Sequence, residues 1–273
     1  MMEERIGVAG CGRMGLPMAQ SLHRGGHDVV GFDIRPASEF ETFAQHMIFD
    51  PHVFSQKCTT VFSVVRDKQQ TEELLFERQA ILRGQHTVRT LVICSTLSPR
   101  YLEELRGRIS PDVSLIDAPM SGAAIAAQEA RLSFMLGGDT EVLDRLQPFF
   151  DTMGTRFHRM GAFGAGMTGK VLNNFSAAAS VIATRQVLAW ADQLNVDRGR
   201  LLALMNDSSG QTWFGSNFGQ IEFAQDGFST NNTIGILKKD VESVLDAVGA
   251  TPDQSLPAAL IDALAKLKPD MSG

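Results

Sequence analysis

The chain has 273 residues, which is enough for about two domains of ordinary size. Apolar residues make up 44% of it and charged residues 21%, so it can bury a sizeable core. The formal net charge of -6, without any block of lysine and arginine, argues against a nucleic-acid-binding function.

Other classes are disfavoured as well. The three cysteines and six histidines show no metal-ligand spacing, so we expect reduced thiols and no metal site. No run of about 18 apolar residues predicts a membrane span, and the first residues lack the pattern of a signal peptide. We therefore expect a cytoplasmic protein without a nucleic-acid or membrane partner.

The first half of the chain alternates short apolar runs with helical stretches, which predicts an α/β fold. A helix is predicted over residues 14–24, where Met14, Met18 and Leu22 share one face, and another begins near Ser98. This alternation predicts a largely parallel, doubly wound sheet with helices on both faces. Strands are predicted at residues 5–10, 28–33, 60–65, 91–95, 113–117 and 133–138.

The pattern changes after about residue 159, beyond which no further strand is predicted. A glycine-rich stretch leads into one long helix over residues 170–194. Its middle, residues 177–191, is apolar nearly all round, so we expect a second domain or a subunit interface to cover it. We therefore predict two domains, residues 1–162 and an all-α domain of residues 163–273. The other helices are predicted at residues 198–205, around 219–225, at 235–248 and at 256–267.

A G-x-G-x-x-G motif follows the first predicted strand and consists of Gly10, Cys11, Gly12, Arg13, Met14 and Gly15. Because it also opens a predicted helix, the motif indicates dinucleotide binding. Gly10 allows the tight turn, Gly12 lets the backbone approach a pyrophosphate, and Gly15 allows close packing of the helix on the strand. The free N–H groups of the helix start suit that pyrophosphate.

Asp33 ends the second predicted strand, about twenty residues after the motif. A carboxylate there accepts hydrogen bonds from the adenosine ribose and repels a 2′-phosphate, which favours NAD over NADP. Arg35 could reach such a phosphate, so NADP stays open. The alternative interpretation is that the glycines only form a turn and the aspartate only caps a helix. Five features that occur together disfavour it: the preceding strand, the glycine spacing, the following helix, the acidic residue and the downstream sheet.

Two further strand ends carry polar groups. Ser121 offers a hydroxyl and Gly122 an N–H, both suited to a substrate carboxylate, but an ordinary exit from the strand explains them equally well. Ser95 and Thr96 could meet the nicotinamide or its ribose. A helix cap or a turn is the commoner explanation for that pair.

Lys170 precedes Asn174 by one helical turn, so both lie on one face of the long helix. A lysine in a partly dry crevice binds its proton less tightly and can act as a general acid/base in hydride transfer to a carbonyl. The alternative is a solvated lysine near a helix start. Lys239 could reach the site from the second domain, although a solvated charge cluster explains it more simply.

The chain resembles the β-hydroxyacid dehydrogenases, the group of 3-hydroxyisobutyrate dehydrogenase and tartronate semialdehyde reductase, which is related to 6-phosphogluconate dehydrogenase. The similar segments come in the family's order and cover most of residues 5–250. They are residues 10–19 (G-C-G-R-M-G-L-P-M-A), 95–99 (S-T-L-S-P), 117–122 (D-A-P-M-S-G), 164–174 (G-A-G-M-T-G-K-V-L-N-N) and 239–240 (K-D).

The resemblance implies a Rossmann domain joined by a long helix to an all-α domain, with dimers or tetramers formed through the helical domain. It implies reversible hydride transfer between NAD(P) and a small β-hydroxy acid or its semialdehyde, with Lys170 as general acid/base and Asn174 as its partner. The implied substrate binders are Ser121, Gly122, Ala123 and Lys239. The implied cofactor binders are Gly10, Gly12, Arg13, Met14, Gly15, Asp33, Ile34, Arg35, Val65, Arg66, Thr96 and Lys239.

The chain departs from the family pattern at several positions. Ala123 stands where a second glycine follows S-G, and its methyl group would crowd a substrate carboxylate, which puts the usual substrates in doubt. Ala126 and Ala130 also stand where glycines are common, and Arg66 stands where proline is frequent. Two alternatives stay open: an imine reductase, which usually lacks the residue equivalent to Lys170, and a dinucleotide-binding sensor or interaction module without turnover.

Overall fold

A computed structural model describes residues 5–249 and 253–271. Within these residues the strands are β1 (Ile6–Ala9), β2 (Val29–Phe32), β3 (Thr60–Ser63), β4 (Thr90–Ile93), β5 (Ser114–Asp117), β6 (Met120–Ser121), β7 (Leu132–Gly137) and β8 (Gly154–Gly161). The helices are α1 (Gly15–Arg24), α2 (Pro51–Lys57), α3 (Lys68–Leu75), α4 (Pro99–Arg108), α5 (Ala123–Gln128), α6 (Thr140–Met153), α7 (Ala165–Gln193), α8 (Arg198–Asn206), α9 (Trp213–Ser216), α10 (Thr233–Val248) and α11 (Ser255–Ala265). Backbone contacts divide the chain into two compact units, Met1–Lys170 and Val171–Gly273.

The first unit contains the doubly wound sheet that the sequence predicts. Five parallel strands lie in the order β2-β1-β3-β4-β5. Successive residues of one strand enter different apolar clusters: Val92 packs with α1, α5 and α6, whereas Leu91 and Ile93 pack with α2, α3 and α4. Because strand side chains alternate between faces, both faces of the sheet are covered by helices. The predicted fold class is confirmed.

Three further strands extend the sheet on the side of β5. β5 and β6 pair with β7 in one continuous antiparallel register, in which Asp117 faces Gly137 and Ser121 faces Ser133. β8 pairs with the other side of β7 and runs parallel to it. The sequence predicted no strand at β8, because most of its side chains are exposed and it lacks an apolar run.

The long helix begins earlier than predicted. α7 starts at Ala165 and runs for 29 residues, so Lys170 lies in its second turn and not at its start. The sequence analysis left Gly166 and Gly169 outside the helix, because glycine is unfavourable in helix interiors. Close packing overrides that preference, because a Cβ on Gly166 would lie 2.5 Å from the carbonyl oxygen of Met135.

The second unit is helical, as predicted, and α8, α10 and α11 agree with their predicted bounds to within two residues. The helix expected around residues 219–225 was wrong: that segment consists of turns, and the nearest helix is α9. Arg185 donates hydrogen bonds to the carbonyl oxygens of Ala224 and Asp226, which occupies acceptors that a continuing helix would use.

The apolar middle of α7 is covered on one side only. Val181 is buried in the core of the second unit and Leu188 is also buried, whereas Trp190 is 53% exposed. The second unit therefore covers part of this stretch, and a subunit interface over the exposed part stays a prediction. None of the described helices is both long and apolar enough to cross a membrane.

Candidate active site

The glycine motif forms a turn that only glycine permits. Gly10 has a φ of +92°, and a Cβ there would lie 2.9 Å from the backbone of Val64 and Val65. A Cβ on Gly15 would overlap the carbonyl oxygen of Gly10. Gly12, in contrast, has nothing within 4 Å of a built Cβ, so its backbone is open to an approaching group.

The start of α1 lies next to this open backbone. No side chain caps the helix there among the described residues, and the partial positive charge of the helix start suits an anion. The turn therefore fits the pyrophosphate of a dinucleotide in both space and polarity. Arg13 is exposed and Met14 half-buried in the same turn, as expected for residues that border a ligand.

Asp33 and Arg35 form a tight pair at the end of β2. Oδ1 of Asp33 accepts from Nε of Arg35 at 3.0 Å, and Oδ2 accepts from Nη2 at 3.2 Å. Nη2 also donates to the carbonyl oxygen of Cys11 at 2.6 Å, and the guanidinium lies 5.0 Å from the ring centre of Phe40. The hydrogen bond to Asp33 is the main cause that raises the pKa of Arg35. The charge of Asp33 is thus balanced, and Arg35 is held against the glycine turn.

The ends of β3 and β4 are also tied together. The hydroxyl of Ser95 donates to the carbonyl oxygen of Val65 at 2.5 Å. The N–H of Leu97 donates to the sulfur of Met167, in the first turn of α7, at 3.3 Å. Thr96, between these two anchors, is therefore held at the same edge of the sheet as the glycine turn.

Two predicted cofactor binders are strongly exposed. Ile34 is 76% exposed beside Asp33. The side chain of Arg66 is 72% exposed and pairs with the neighbouring Asp67. Exposure at this edge of the sheet leaves both side chains accessible to a dinucleotide.

Lys170 and Ser121 meet directly. Nζ of Lys170 donates to Oγ of Ser121 at 2.9 Å, and only 8% of the lysine is exposed. Next to Ser121, Gly122 has a φ of +134°, and a Cβ there would overlap the methyl group of Ala126. Ala123 follows with a φ of +54°, a left-handed conformation that costs an alanine roughly 1–2 kcal/mol.

Asp117 is a site residue to which the sequence analysis assigned no role. It is fully buried at the end of β5, and its carboxylate accepts the backbone N–H groups of Gly164 and Met167. Burial is the main cause that raises its pKa, while these N–H groups act in the opposite direction. A carboxylate directly after the apolar residues Leu115 and Ile116 was the available signal, because a buried carboxylate needs partners.

In the helical unit, Asn174 is held by a buried acid. Its Nδ2 donates to Oδ2 of Asp240 at 2.6 Å, and Asp240 is 1% exposed. Lys239, its neighbour on α10, is half-buried. The sequence analysis named Lys239 as a site residue and considered Asp240 only as a capping or pairing residue. The available signal was its spacing, because Asp240 shares the apolar face of α10 with Leu237 and Val244.

The chemistry of this arrangement is proton transfer and anion binding. A buried lysine beside a hydroxyl can exchange a proton with a substrate oxygen, and the glycine N–H groups can bind anionic groups. Thiol chemistry does not fit, because burial raises the pKa values of Cys11 and Cys58 to about 12.

Residues 5–162 match the family model described as the NAD binding domain of 6-phosphogluconate dehydrogenase. Residues 164–266 match a second model, described as the NAD-binding domain of NADP-dependent 3-hydroxyisobutyrate dehydrogenase. Together the two models cover nearly the whole chain.

Two relatives with similar sequences are named as enzymes that act on small hydroxy or oxo acids. The mitochondrial 3-hydroxyisobutyrate dehydrogenase of Homo sapiens is 27% identical over 264 residues, which cover 93% of this chain and 79% of that protein. The 2-hydroxy-3-oxopropionate reductase of Escherichia coli is 32% identical over 205 residues, which cover 72% of this chain and 68% of that protein.

A solved structure shares the fold. The 3-hydroxyisobutyrate dehydrogenase of Mycobacterium tuberculosis, determined with L-serine, superposes with a TM-score of 0.80 at 24% identity. The superposition covers 98% of this chain and 97% of that one.

Proposed function

Because the chain belongs to the β-hydroxyacid dehydrogenase family of NAD(P)-dependent oxidoreductases, we propose that Lys170 is the general acid/base of its reaction. The reaction is reversible hydride transfer between NAD(P) and a small β-hydroxy acid or its semialdehyde. The hydrogen bond of 2.9 Å between Lys170 and Ser121 carries the proposal, since a buried amine lies beside the hydroxyl that we propose to bind the substrate.

The residues of this chain have complementary tasks. The glycine turn and Asp33 would hold the nicotinamide cofactor, which would supply the acceptor or the donor of the hydride. In oxidation the neutral amine of Lys170 takes the hydroxyl proton; in reduction its ammonium returns that proton to the carbonyl oxygen. Ser121 accepts a hydrogen bond from Lys170 at 2.9 Å and can donate its own proton to the substrate.

We assign the substrate carboxylate to the segment that follows β6. The N–H of Gly122 and the hydroxyl of Ser121 supply donors without a charge of their own. The exposed methyl group of Ala123 narrows the space beside these two donors. We therefore expect a substrate that is smaller than those of the relatives or has a different shape.

Asn174 and Lys239 are proposed to act from the helical part of the chain. Nδ2 of Asn174 donates to Asp240, which fixes the orientation of the amide; its oxygen accepts from Nδ2 of Asn173 at 3.2 Å and keeps a second lone pair for the substrate. Lys239 supplies a positive charge for the substrate carboxylate or the cofactor. Both assignments rest on the family resemblance and on these local contacts.

The pairing of Asp33 with Arg35 favours use of both cofactors. The carboxylate suits the ribose hydroxyls of NAD, and the guanidinium beside it suits the 2′-phosphate of NADP. An imine reductase fits less well, because it usually lacks a residue equivalent to Lys170. A sensor without turnover fits less well too, because Lys170 and Ser121 are set for proton transfer.

We further propose a homodimer or homotetramer formed through the helical domain. The exposed apolar side chains of α7 and α8 support it: Leu172 is 50% exposed, Trp190 53% and Leu204 60%. Sedimentation analysis at micromolar concentration tests this proposal, and a monomer would contradict it.

Two smaller assignments complete the proposal. We keep the domain boundary near residue 162, in the turn between the end of β8 at Gly161 and the start of α7 at Ala165, although the compact units divide after Lys170, within α7. A cytoplasmic location is supported by the three free, buried cysteines, which are typical of a reducing compartment. Limited proteolysis and cell fractionation test these assignments.

The function is tested with purified protein, both cofactors and the compounds that the relatives' names supply. Binding of NADH and NADPH is measured by nucleotide fluorescence. Turnover is then followed at 340 nm with 3-hydroxyisobutyrate, 2-hydroxy-3-oxopropionate and L-serine as probes. We expect binding of both nucleotides and turnover of at least one probe. Absence of nucleotide binding would overturn the proposal, and binding without any turnover would favour the sensor.

A further inference from the structure

We propose that Asp117 is a positioning residue, whose buried carboxylate fixes the first turn of α7 and thereby sets Lys170 against Ser121. The inference rests on the proposed role of Lys170 and adds a residue to the machinery of the same reaction. Every atom involved belongs to the compact unit Met1–Lys170.

The carboxylate closes the amino terminus of α7 from a distant part of the chain. Oδ1 accepts from the N–H of Gly164 at 2.7 Å, and Oδ2 accepts from the N–H of Met167. The first N–H groups of a helix have no acceptors within it, and their partial positive charge suits a carboxylate. Because Asp117 is 0% exposed, water does not compete for these bonds.

Glycines bring the carboxylate and the helix into contact. A Cβ on Gly137 would overlap Oδ1 of Asp117, and one on Gly166 would lie 2.9 Å from Oδ2. No room therefore remains for the helix start to slide while it keeps its bonds to Asp117. The carboxylate acts as a fixed point for the turn.

Lys170 and Ser121, which form the proposed catalytic hydrogen bond, are each joined to the Asp117 contact by one short stretch of regular structure. Lys170 follows Met167 by three residues, which is about one helical turn. Ser121 lies on the strand segment that continues the register of Asp117 along β7. A shift of the helix start therefore changes the distance between Nζ of Lys170 and Oγ of Ser121.

Asparagine at position 117 isolates this contribution. The side chain keeps its size, but one carboxylate oxygen becomes an NH₂ group that cannot accept the N–H of Gly164 or Met167. We expect Asp117→Asn to lower kcat roughly 10- to 100-fold, because a misplacement of about 1 Å can cost 10²-fold. The KM of the hydroxy acid and the Kd of NADH should change less than 3-fold.

Asp139 provides the matched control. Its carboxylate caps α6 by accepting the N–H groups of Glu141 and Val142, and among the described residues it makes no hydrogen bond to α7. Asp139→Asn therefore removes a helix cap of the same kind in the same unit. We expect its kcat to stay within 2-fold of the wild type.

The environment of Lys170 is measured independently of turnover by its rate of acetylation with acetic anhydride, read by peptide mass spectrometry. We expect faster acetylation in Asp117→Asn, because the amine leaves Ser121, and an unchanged rate in Asp139→Asn. Unchanged acetylation and unchanged kcat in Asp117→Asn would overturn the positioning role. Faster acetylation with unchanged kcat would instead overturn the proposed role of Lys170.

A measurement on the wild type covers the case in which Asp117→Asn does not fold. Hydrogen exchange of the Gly164 and Met167 amides should be at least 10-fold slower than that of Glu141 and Val142, whose cap is exposed. Equally fast exchange would show that the carboxylate does not hold the start of α7, and would overturn the inference.

Discussion

Replacement of Arg35 by glutamine should convert an enzyme that binds both cofactors into one that prefers NAD. In the wild type the guanidinium holds both carboxylate oxygens of Asp33 and the carbonyl oxygen of Cys11. Its loss removes a charge-assisted hydrogen bond to a 2′-phosphate, worth roughly 1.5–3 kcal/mol, so the Kd of NADPH should rise about 10- to 100-fold. The Kd of NADH should stay the same or fall, because the freed oxygens of Asp33 can accept the ribose hydroxyls.

Fluorescence titration with NADH and NADPH measures this change directly. Arg5→Gln is the matched control, because Arg5 pairs with Asp28 at 2.6 Å at the opposite end of β1 and β2. The ratio of the two Kd values should stay at the wild-type value in that control. A ratio in Arg35→Gln within 2-fold of the wild type would refute the role of the guanidinium in cofactor choice.

Three further predictions concern the free energy of unfolding. Ala123→Gly should raise it by about 0.5 kcal/mol, since glycine avoids the left-handed strain but costs some chain entropy. Arg185→Ala should lower it by about 3 kcal/mol, because three carbonyl oxygens lose their buried donor, whereas Asp270 keeps its ion pair of 2.9 Å with Arg198. The third concerns Glu72, whose pKa is lowered mainly by the hydrogen bond from Arg108. Its ionised form therefore stabilises the fold above its unfolded pKa of about 4.3, and this stabilisation is lost as the pH falls through the lower folded value. Glu72→Gln should accordingly show a smaller loss of stability between about pH 5 and pH 3.

Urea denaturation measures all three, and each has its own control. Ala127→Gly, in the regular part of α5, should destabilise, which contrasts with Ala123→Gly. Arg156→Ala, at an exposed position of β8, should change stability by less than about 0.5 kcal/mol. Glu77→Gln, at an exposed position, should leave the pH dependence unchanged. If a variant and its control change stability, or its pH dependence, by the same amount, the physical reason given for that variant is contradicted.

The elements that the sequence predicts best are those whose signal is local. The five parallel strands are short apolar runs with turn residues between them, and the glycine motif carries its own geometry in Gly10, Gly12 and Gly15. Their positions follow from periodicity and backbone chemistry alone. The fold class and the family could therefore be predicted without coordinates.

The elements that the sequence misses depend on tertiary contacts. β8 is an exposed edge strand that only its pairing with β7 reveals. The start of α7 is stabilised by Asp117, 47 residues before Gly164, which no local pattern shows. In the same way, the pairing of Asn174 with Asp240 spans 66 residues. Such partners become visible only when the chain is folded.

The central claim is that Lys170 moves the proton, and rescue of Lys170→Ala by added amines tests it most directly. The variant should bind NADH within about 3-fold of the wild type and lose at least 100-fold in kcat, in line with general acid/base catalysis. Methylamine and ethylamine should restore turnover in proportion to the concentration of their free base, while the wild type should not respond. A variant that turns over within 3-fold of the wild type would contradict the account.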